Sequence, residues 1–340
     1  MNQNKRNILV VRLSALGDVA MTIPAIYSAA FSNPQHHFIV VTSSFPSRLF
    51  INRPPNVEMM VLDKGSTHGI MRTCHLLKSL SNMKIDAVAD LHSVLRTWMI
   101  DALFMFMLRP VAILNKRRFQ RWGILHRHTT STKAFIQRYF DTFAQLGLNV
   151  EPSFTSLFPH EQPPLPASIS VEKSKKWIGI APFARYRSKT YDLNQMQEVI
   201  DMLVANVNYH IFLFGSSGRE RYILEWLASG RDQITIVAGM LSLEEELSLM
   251  AHLNVMLAMD SANMHLASLV GTRVISLWCG TTPSCGFLGY GQLEDDALLT
   301  GGLNCQPCTI AGSENCKQGD WLCTKAVSPV RIVEKIISTL

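Results

Sequence analysis

The residues best suited to chemistry lie in a short segment near the N-terminus. Residues 12–25 follow an apolar run at 8–11 and lead into a helix-like pattern, with Gly17 and Asp18 at the turn. A loop that follows a parallel strand lies at the sheet edge where open α/β folds bind ligands. Asp18 can therefore serve as a base towards a bound hydroxyl. The alternative is that Asp18 only caps the helix, which is a common use of aspartate.

Other residues of this loop are candidates for binding a substrate. Ser14 and Ala15 precede the turn, and Gly17 permits close approach of the backbone to a ligand. Pro24 would fall inside the second helical turn, so we expect the helix either to kink or to begin later.

A second candidate site follows the first strand of the second half. Arg185, Arg187 and Lys189 place three cations in one loop, which suits a diphosphate. The alternative is a solvated basic loop.

A third candidate site lies in residues 259–272, where a strand ends and a helix starts. Asp260 and Ser261 form the turn, Ala262 starts the helix, and His265 lies about one turn further on. Backbone N–H groups at a helix N-terminus bind phosphates readily. His265 could face the same ligand or be an ordinary core residue.

A fourth element is the segment 215–221, again a strand leading into a helix. Its glycines lack the spacing of a dinucleotide-binding fingerprint. Glu220 could accept hydrogen bonds from ribose hydroxyls, or it could be an acid of the first helical turn favoured by the helix dipole.

The elements that must position these residues alternate between strand and helix along the whole chain. In the first half, the strands are predicted at 8–11, 38–42, 57–62, 87–91 and 111–114, and the helices at 19–31, 71–80, 95–108 and 134–146. In the second half, the strands are predicted at 177–181, 209–214, 234–237, 255–259 and 273–278, and the helices at 193–205, 219–228, 243–253, 262–270 and 330–337. Such alternation predicts doubly wound α/β domains with parallel sheets.

Five prolines between residues 152 and 166 mark a linker, since neither a helix nor a central strand tolerates that density. We therefore expect two domains, 1–165 and 166–340, with a cleft between them.

Composition and charge limit the class of protein. Hydrophobic residues make up 47% of the 340 residues and charged residues 17%, which argues against long-range disorder. The most lipid-like segment, 98–108, is too short to span a bilayer. The net charge is +6, and residues 1–165 hold 18 Lys and Arg against 9 Asp and Glu. The excess suits nucleic acid, an anionic lipid head group or a phosphorylated sugar, or it is only a solubilising surface.

Seven cysteines are present, and four of them cluster near the C-terminus. Cys305, Cys308, Cys316 and Cys323 have the spacing C-x2-C-x7-C-x6-C. Four thiolates could complete a structural zinc site, although the second pair lacks the compact spacing of a zinc ribbon. The alternative is that these cysteines are reduced, as in a cytosolic protein, or brace the loop.

At these motifs the chain resembles glycosyltransferase family 9, the ADP-heptose:lipopolysaccharide heptosyltransferases. The segment RLSALGDVAMTIPA resembles the opening of the family, and DSANMHLASLVGT resembles its late motif. Cys279-Gly280-Thr281-Thr282-Pro283 is similar to the family's G-P-T-D-P segment, and the cysteine-bearing tail is similar as well. The similarity spans almost the whole chain in the correct order.

The resemblance implies a GT-B fold, with an N-terminal acceptor domain and a C-terminal domain that binds a nucleotide sugar. It implies direct displacement with inversion at the anomeric carbon and Asp18 as the general base. On the donor side it implies the following roles: Lys189 on the diphosphate, Asp260 on the heptose hydroxyls, Ser261, Ala262 and His265 around the phosphates, Glu220 on the ribose, and the 239–242 loop with Met240 near the adenine.

Together these patterns predict an inverting transferase that moves a sugar, with ADP-heptose as the expected donor, to a lipid-linked anionic saccharide of the lipopolysaccharide core. We expect a cytoplasmic protein with peripheral contact to the inner leaflet, no nucleic-acid partner, and no required metal or other cofactor. The family's threonine-glycine is Ser261-Ala262 here, and Thr190, Tyr191 and Asp192 replace arginine-tryptophan-proline. Another nucleotide sugar therefore stays open as donor, as does a GT-B-like sugar-nucleotide epimerase.

Overall fold

The computed structural model describes residues 5–62 and 70–340. The chain forms two compact units. Unit 1 comprises Met1–Arg117 and Lys133–Thr155, and unit 2 comprises Arg118–Thr132 and Ser156–Leu340. The main division, between Thr155 and Ser156, lies inside the proline-dense segment and somewhat before the expected boundary at residue 165. The short segment Arg118–Thr132 joins unit 2 because Ile124 packs against Cys285 and Ile310.

Unit 1 is built on a five-stranded parallel sheet with the order β3-β2-β1-β4-β5. Its strands are β1 (Asn7–Val11), β2 (His37–Ser43), β3 (Val57–Leu62), β4 (Ala87–Asp90) and β5 (Val111–Ile113). Its helices are α1 (Leu16–Ala20), α2 (Ile23–Ser32), α3 (Ser44–Ser47), α4 (Ile70–Ser81), α5 (Leu95–Phe106) and α7 (Phe135–Ala144); α6 (Arg118–Leu125) belongs to unit 2. Strand β1 is a continuous apolar run because it lies in the middle of the sheet, where helices cover both faces.

Unit 2 is built on a six-stranded parallel sheet with the order β11-β10-β9-β6-β7-β8. Its strands are β6 (Lys176–Ala181), β7 (Tyr209–Leu213), β8 (Ile234–Ile236), β9 (Val255–Met259), β10 (Val274–Trp278) and β11 (Ala297–Leu299). Its other helices are α8 (Leu193–Val204), α9 (Arg219–Ala228), α10 (Leu243–Met250), α11 (Ala262–Leu269) and α12 (Pro329–Ile337). One apolar core packs α8, α9 and α12 against the sheet.

Each sheet has a point at which the strand order reverses. In unit 1 the chain runs outward from β1 to β3 on one side and from β4 to β5 on the other. In unit 2 the corresponding point lies between β6 and β9. Open α/β sheets bind ligands at such switch points, beyond the carboxyl ends of the strands. The predicted fold class, α/β with doubly wound parallel sheets, is thereby confirmed for each unit.

Local departures from the predicted elements have simple causes. The single helix expected at 19–31 is two helices, and Pro24 is the second residue of α2, where its missing N–H costs nothing. The helix therefore begins later rather than kinking. Helices α3 and α6 and the three-residue strand β11 were not predicted, because such short elements leave little periodicity.

The capping box expected for α10 is present. Ser242 Oγ accepts a hydrogen bond from the Glu245 N–H at 3.3 Å, and Glu245 Oε2 accepts one from the Ser242 N–H at 2.7 Å. Among the helices described, none is both long and apolar enough to cross a bilayer.

Candidate active site

The Asp18 loop leaves the carboxyl end of the central strand of unit 1. The backbone turns after Val11, and α1 begins at Leu16, with Ala15 as its N-cap in an extended conformation. Asp18 is therefore the third helical residue and not the cap. Its carboxylate lies 3.5 Å from the Ala15 N–H, so its only contribution to capping the helix is one long hydrogen bond. The side chain is 37% exposed, which leaves the carboxylate accessible to a ligand.

Arg12 holds this carboxylate in place. Its Nη2 lies 2.7 Å from Asp18 Oδ2, and the Arg12 side chain is only 6% exposed. Its other nitrogens donate to the Leu91 carbonyl at 2.7 Å and to the Ser14 carbonyl at 3.0 Å. Arg12 thus ties Asp18, the loop and the end of β4 into one network. Its role was not predicted, since a cation six residues before an acid gives no signal until the loop folds back.

His92 lies at the same sheet edge, just after β4. Burial, and then the charges of Arg12 and Lys116, lower the His92 pKa to about 3, so the ring is neutral at physiological pH. Its Nδ1 lies 3.4 Å from the Leu13 N–H, which it can accept. The ring is a neutral neighbour of the Arg12–Asp18 pair, and its position was not predicted either.

The buried Asp90 carboxyl group supports the loop that carries His92, and a second buried carboxyl group, Asp101, lies near it. Asp90 accepts hydrogen bonds from the N–H groups of His92 at 2.8 Å and Ser93 at 2.9 Å, and from Thr97 Oγ1 at 2.7 Å. Burial raises the Asp101 pKa to about 8, and the charge of Asp90 and a hydrogen bond to it act in the same direction. Asp101 therefore keeps its proton at neutral pH.

At the switch point of unit 2, three side chains from neighbouring strand ends meet. Lys189 Nζ lies 2.9 Å from Asp260 Oδ2, and the Thr281 hydroxyl donates to the same oxygen at 2.7 Å. Asp260 is almost fully buried, while Lys189 is 14% exposed. Lys189 follows β6, Asp260 follows β9 and Thr281 follows β10, so the parallel order of these strands brings them together. Lys189 and Asp260 were both predicted; the contact with Thr281 was not.

The Lys189 turn is fixed by backbone contacts to the segment after β10. The Gly280 N–H donates to the Ser188 carbonyl at 2.6 Å. A Cβ at position 280 would lie 2.9 Å from that carbonyl oxygen, so only glycine fits without a shift. Ser188 in turn exchanges hydrogen bonds with Ser313, through its N–H at 3.1 Å and its Oγ at 2.8 Å.

The residues after Asp260 form the expected strand-to-helix turn. Ser261 is the extended N-cap of α11, and its buried Oγ has no hydrogen-bond partner in the described part of the chain. Ala262 is the first helical residue, a position that alanine tolerates well, so the replacement of glycine costs the turn nothing. His265 lies on the first turn of α11 and is 5% exposed. The N-terminus of α11 thus adjoins the Lys189–Asp260 pair.

The other predicted residues follow along the same edge of the sheet. Glu220, in the first turn of α9, accepts hydrogen bonds from the Ser216 N–H at 2.6 Å and the Ser216 hydroxyl at 2.8 Å. Glu220 therefore bonds within the loop that precedes α9, which agrees with the alternative that it is a structural acid of the first helical turn. Met240 follows β8, is 40% exposed and comes directly after Gly239, whose φ is +72°.

Arg185 and Arg187 are exposed and stack on aromatic rings. The Arg187 guanidinium lies 4.3 Å from the Trp321 ring centroid, and that of Arg185 lies 5.3 Å from the Tyr186 centroid. Of the three cations predicted in this loop, Lys189 is the one that pairs with Asp260.

The four C-terminal cysteines are all free thiols. Burial raises the Cys323 pKa to about 12, and the nearby thiols of Cys308, Cys305 and Cys316 add to the shift. Backbone N–H groups, that of Trp321 first, lower the Cys316 pKa. Within residues 5–62 and 70–340, no three Cys, His, Asp or Glu side chains stand in positions to hold a metal ion.

Comparison with known proteins gives a consistent result. Residues 73–316 match the family model of glycosyltransferase family 9 (heptosyltransferase). The lipopolysaccharide core heptosyltransferase OpsX of Haemophilus influenzae is 23% identical over 283 residues, which cover 82% of this chain and 80% of the relative.

Solved structures share the fold. The glycosyl transferase family 9 structure from Veillonella parvula has a TM-score of 0.78 at 17% identity and covers 100% of this chain and 98% of its own. The E. coli heptosyltransferase WaaC with ADP has a TM-score of 0.68 at 15% identity and covers 98% of this chain and 100% of its own. Since the family model spans well over half of the sequence, the chain belongs to glycosyltransferase family 9, the heptosyltransferase family.

Proposed function

We propose that this protein is an inverting heptosyltransferase that transfers heptose from ADP-heptose to the lipopolysaccharide core. The main support for donor binding is the cluster of Lys189, Asp260 and Thr281 at the switch point of unit 2. A cation, an acid and a hydroxyl beside a helix N-terminus suit a sugar diphosphate, because they offer partners for both its charge and its hydroxyl groups.

The transfer needs a base that takes the hydroxyl proton and positive groups that stabilise the negative charge of the departing diphosphate. The acceptor hydroxyl oxygen attacks the anomeric carbon, the bond from that carbon to the diphosphate oxygen breaks, and the hydroxyl proton passes to the Asp18 carboxylate. Charge develops on the departing diphosphate, where Lys189 and the N–H groups at the start of α11 would stabilise it. Asp260 would hold the sugar hydroxyls, as the resemblance implies. A single displacement of this kind inverts the configuration.

Arg12 gives Asp18 a defined direction in this scheme. A carboxylate acts as a base only from within hydrogen-bond reach of the proton. The ion pair at 2.7 Å engages Oδ2 and leaves Oδ1 for the acceptor hydroxyl. Ser14, Ala15 and Gly17, which belong to the same loop, would contact the acceptor.

Asp18→Asn tests the base directly. We expect the variant to fold normally and to bind the nucleotide sugar with unchanged affinity, but to lose transfer by about 10²–10⁴-fold, the usual contribution of a general base. Asp141→Asn is the matched control, since it makes the same change at another ion-paired, 36% exposed carboxylate of unit 1 that has no role in the site. Near-normal transfer by Asp18→Asn contradicts the assignment.

The donor is tested by thermal-shift titration with ADP-, UDP- and GDP-sugars, followed by transfer assays with those that bind. We expect ADP-heptose to give the largest shift. Incubation of the donor alone separates a transferase from an epimerase, because an epimerase converts its substrate without any acceptor.

We further propose that no metal ion assists the reaction. The sequence has no D-x-D motif near the diphosphate loops, and the charge of the leaving group falls to Lys189 and α11. Transfer should retain full activity in excess chelator. Loss of activity that magnesium restores would contradict this proposal.

The acceptor proposed here is a lipid-linked anionic saccharide. The excess of Lys and Arg in residues 1–165 supports an anionic partner, and a lipid-linked acceptor requires the protein to work at the inner leaflet. We propose a peripheral contact with that leaflet.

A further inference from the structure

Helix α5 is apolar on two opposite faces. Thr97, Ile100, Asp101 and Phe104 form the buried face, which packs against unit 1. The opposite face and the residues just after the helix are exposed and apolar: Leu95, Trp98, Met99, Met105, Phe106 and Leu108. A helix on the surface of a globular protein normally carries a polar outer face. We therefore expect the exposed apolar face to bind a partner that shields it from water.

The exposure is greatest at the C-terminal end of α5. Phe106 is 88% exposed and Leu108 is 91% exposed, and Met105 and Met107 beside them are exposed as well. Four consecutive large apolar residues at the tip of a helix form a contiguous patch, which differs from the scattered apolar residues of ordinary surfaces.

The charges around this face are mostly positive. Residues 91–117 contain four Lys and Arg and a single acid, Asp101, which is buried on the opposite face. Of the elements packed against α5, the described part of α4 and strand β5 carry no acid, and the one acid of β4, Asp90, is fully buried. Asp86, just before β4, lies 3.7 Å from Arg109 and is half-buried. The patch is thus apolar with a basic rim.

An apolar patch with a basic rim and an aromatic residue matches the chemistry of an anionic lipid surface. Amphipathic helices that lie in the bilayer interface combine Trp, Phe and Leu on one side with Lys and Arg at the polar boundary. Trp side chains favour the head-group level, and each nearby Lys or Arg adds attraction to anionic lipids.

We propose that the exposed face of α5 docks this protein on an anionic membrane surface, with Phe106 and Leu108 inserted among the acyl chains. Arg96 and Arg109 contact the head groups in this arrangement. The proposal rests on the proposed function for the identity of the acceptor and adds the surface through which the enzyme reaches it.

Vesicle sedimentation tests the proposal with the full chain. We expect wild-type protein to bind phosphatidylethanolamine/phosphatidylglycerol vesicles and to bind pure phosphatidylcholine at least about tenfold more weakly. Phe106→Ser/Leu108→Ser should weaken binding to the anionic vesicles at least about tenfold. The matched control is Tyr222→Ser/Trp226→Ser, which removes two exposed aromatics from α9 of unit 2 and should bind like wild type.

Two further measurements separate this proposal from its neighbours. With a water-soluble, delipidated acceptor fragment, Phe106→Ser/Leu108→Ser should transfer sugar as fast as wild type. If wild type itself transfers no sugar to this fragment, the result contradicts the proposed function and not the docking face. Equal vesicle binding by the variant and wild type overturns the docking face. The docking face is also overturned if light scattering shows that wild type is a dimer and the double variant a monomer, because a second copy of the chain then covers the patch.

Discussion

Asp18 and Arg12 form an ion pair in which the two partners differ in exposure. The guanidinium is buried and fixed by two backbone carbonyls, while the carboxylate remains 37% exposed. The geometry fixes the direction of the carboxylate without removing it from the surface. Arg12 is accordingly a positioning residue, and Asp18 is the residue that would meet the substrate.

Replacement of Arg12 should therefore separate positioning from binding. We expect Arg12→Met to lower kcat about 10–100-fold with little change in the donor KM, since small misplacements of a catalytic group have effects of this size. Arg12→Lys should restore part of the rate, because the charge returns but the fork of nitrogens does not. Equal kcat in wild type and Arg12→Met, measured by steady-state kinetics, contradicts the role.

The candidate site was partly predictable at this scale. Asp18, Lys189 and Asp260 could be proposed as candidates because each follows a strand and has a side chain with obvious chemistry. Arg12, His92 and Thr281 could not, because their contacts join residues that lie between 6 and 79 positions apart in the sequence. Glu220 was identified, but its bonds to Ser216 show that it also braces its own loop.

Among the elements, the short loops after the strands determine the site more than the helices do. The turn that carries Lys189 has no regular structure beyond a single 3-10 turn, Arg187–Lys189, and it relies on contacts with Gly280 and Ser313. The segment after β10 is therefore a structural support for the proposed donor site. Strands and long helices were predicted well because their apolar patterns are long, whereas these supports carry no periodic signal.

Gly280→Ala tests this support. The new Cβ would meet the Ser188 carbonyl oxygen at 2.9 Å and force the Lys189 turn to move. We expect a loss of about 1–3 kcal/mol in the free energy of unfolding, typical of overpacking, and about tenfold weaker binding of the nucleotide sugar. Denaturant unfolding and calorimetric titration measure the two effects.

The control for this variant is Gly291→Ala. Gly291 has a φ of +69° and open space around its Cβ position, so alanine there strains the backbone without touching the Lys189 turn. Donor affinity should not change in this control. An equal loss of affinity in both variants would show that general destabilisation, and not the turn, is responsible.

For the molecule as a whole, the buried carboxyl pair of unit 1 links stability to pH. The Asp101 pKa is raised to about 8, above its unfolded value, so the folded protein holds one proton more than the unfolded chain between the two values. The stabilisation is fully present below about pH 4. It is lost as the pH rises, until the proton also leaves the folded state near pH 8.

Asp101→Asn should remove this dependence. We expect wild type to lose stability relative to the variant between pH 5 and pH 8, by at most about 1.4 kcal/mol per pH unit, the limit for one proton. Thermal unfolding of both proteins across this range measures the difference. Parallel curves for the two proteins would contradict the raised pKa of Asp101.

The contribution of Arg118–Thr132 to unit 2 governs how this chain can be divided experimentally. Arg127 donates hydrogen bonds to the carbonyls of Asn304 and Gln306, and the Thr132 N–H donates to the Ser284 carbonyl. A fragment that starts at Ser156 would lose these bonds and uncover the apolar surface beneath Ile124. Separate expression of unit 2 therefore requires that this helix be grafted back, by circular permutation or fusion, because simple truncation removes it.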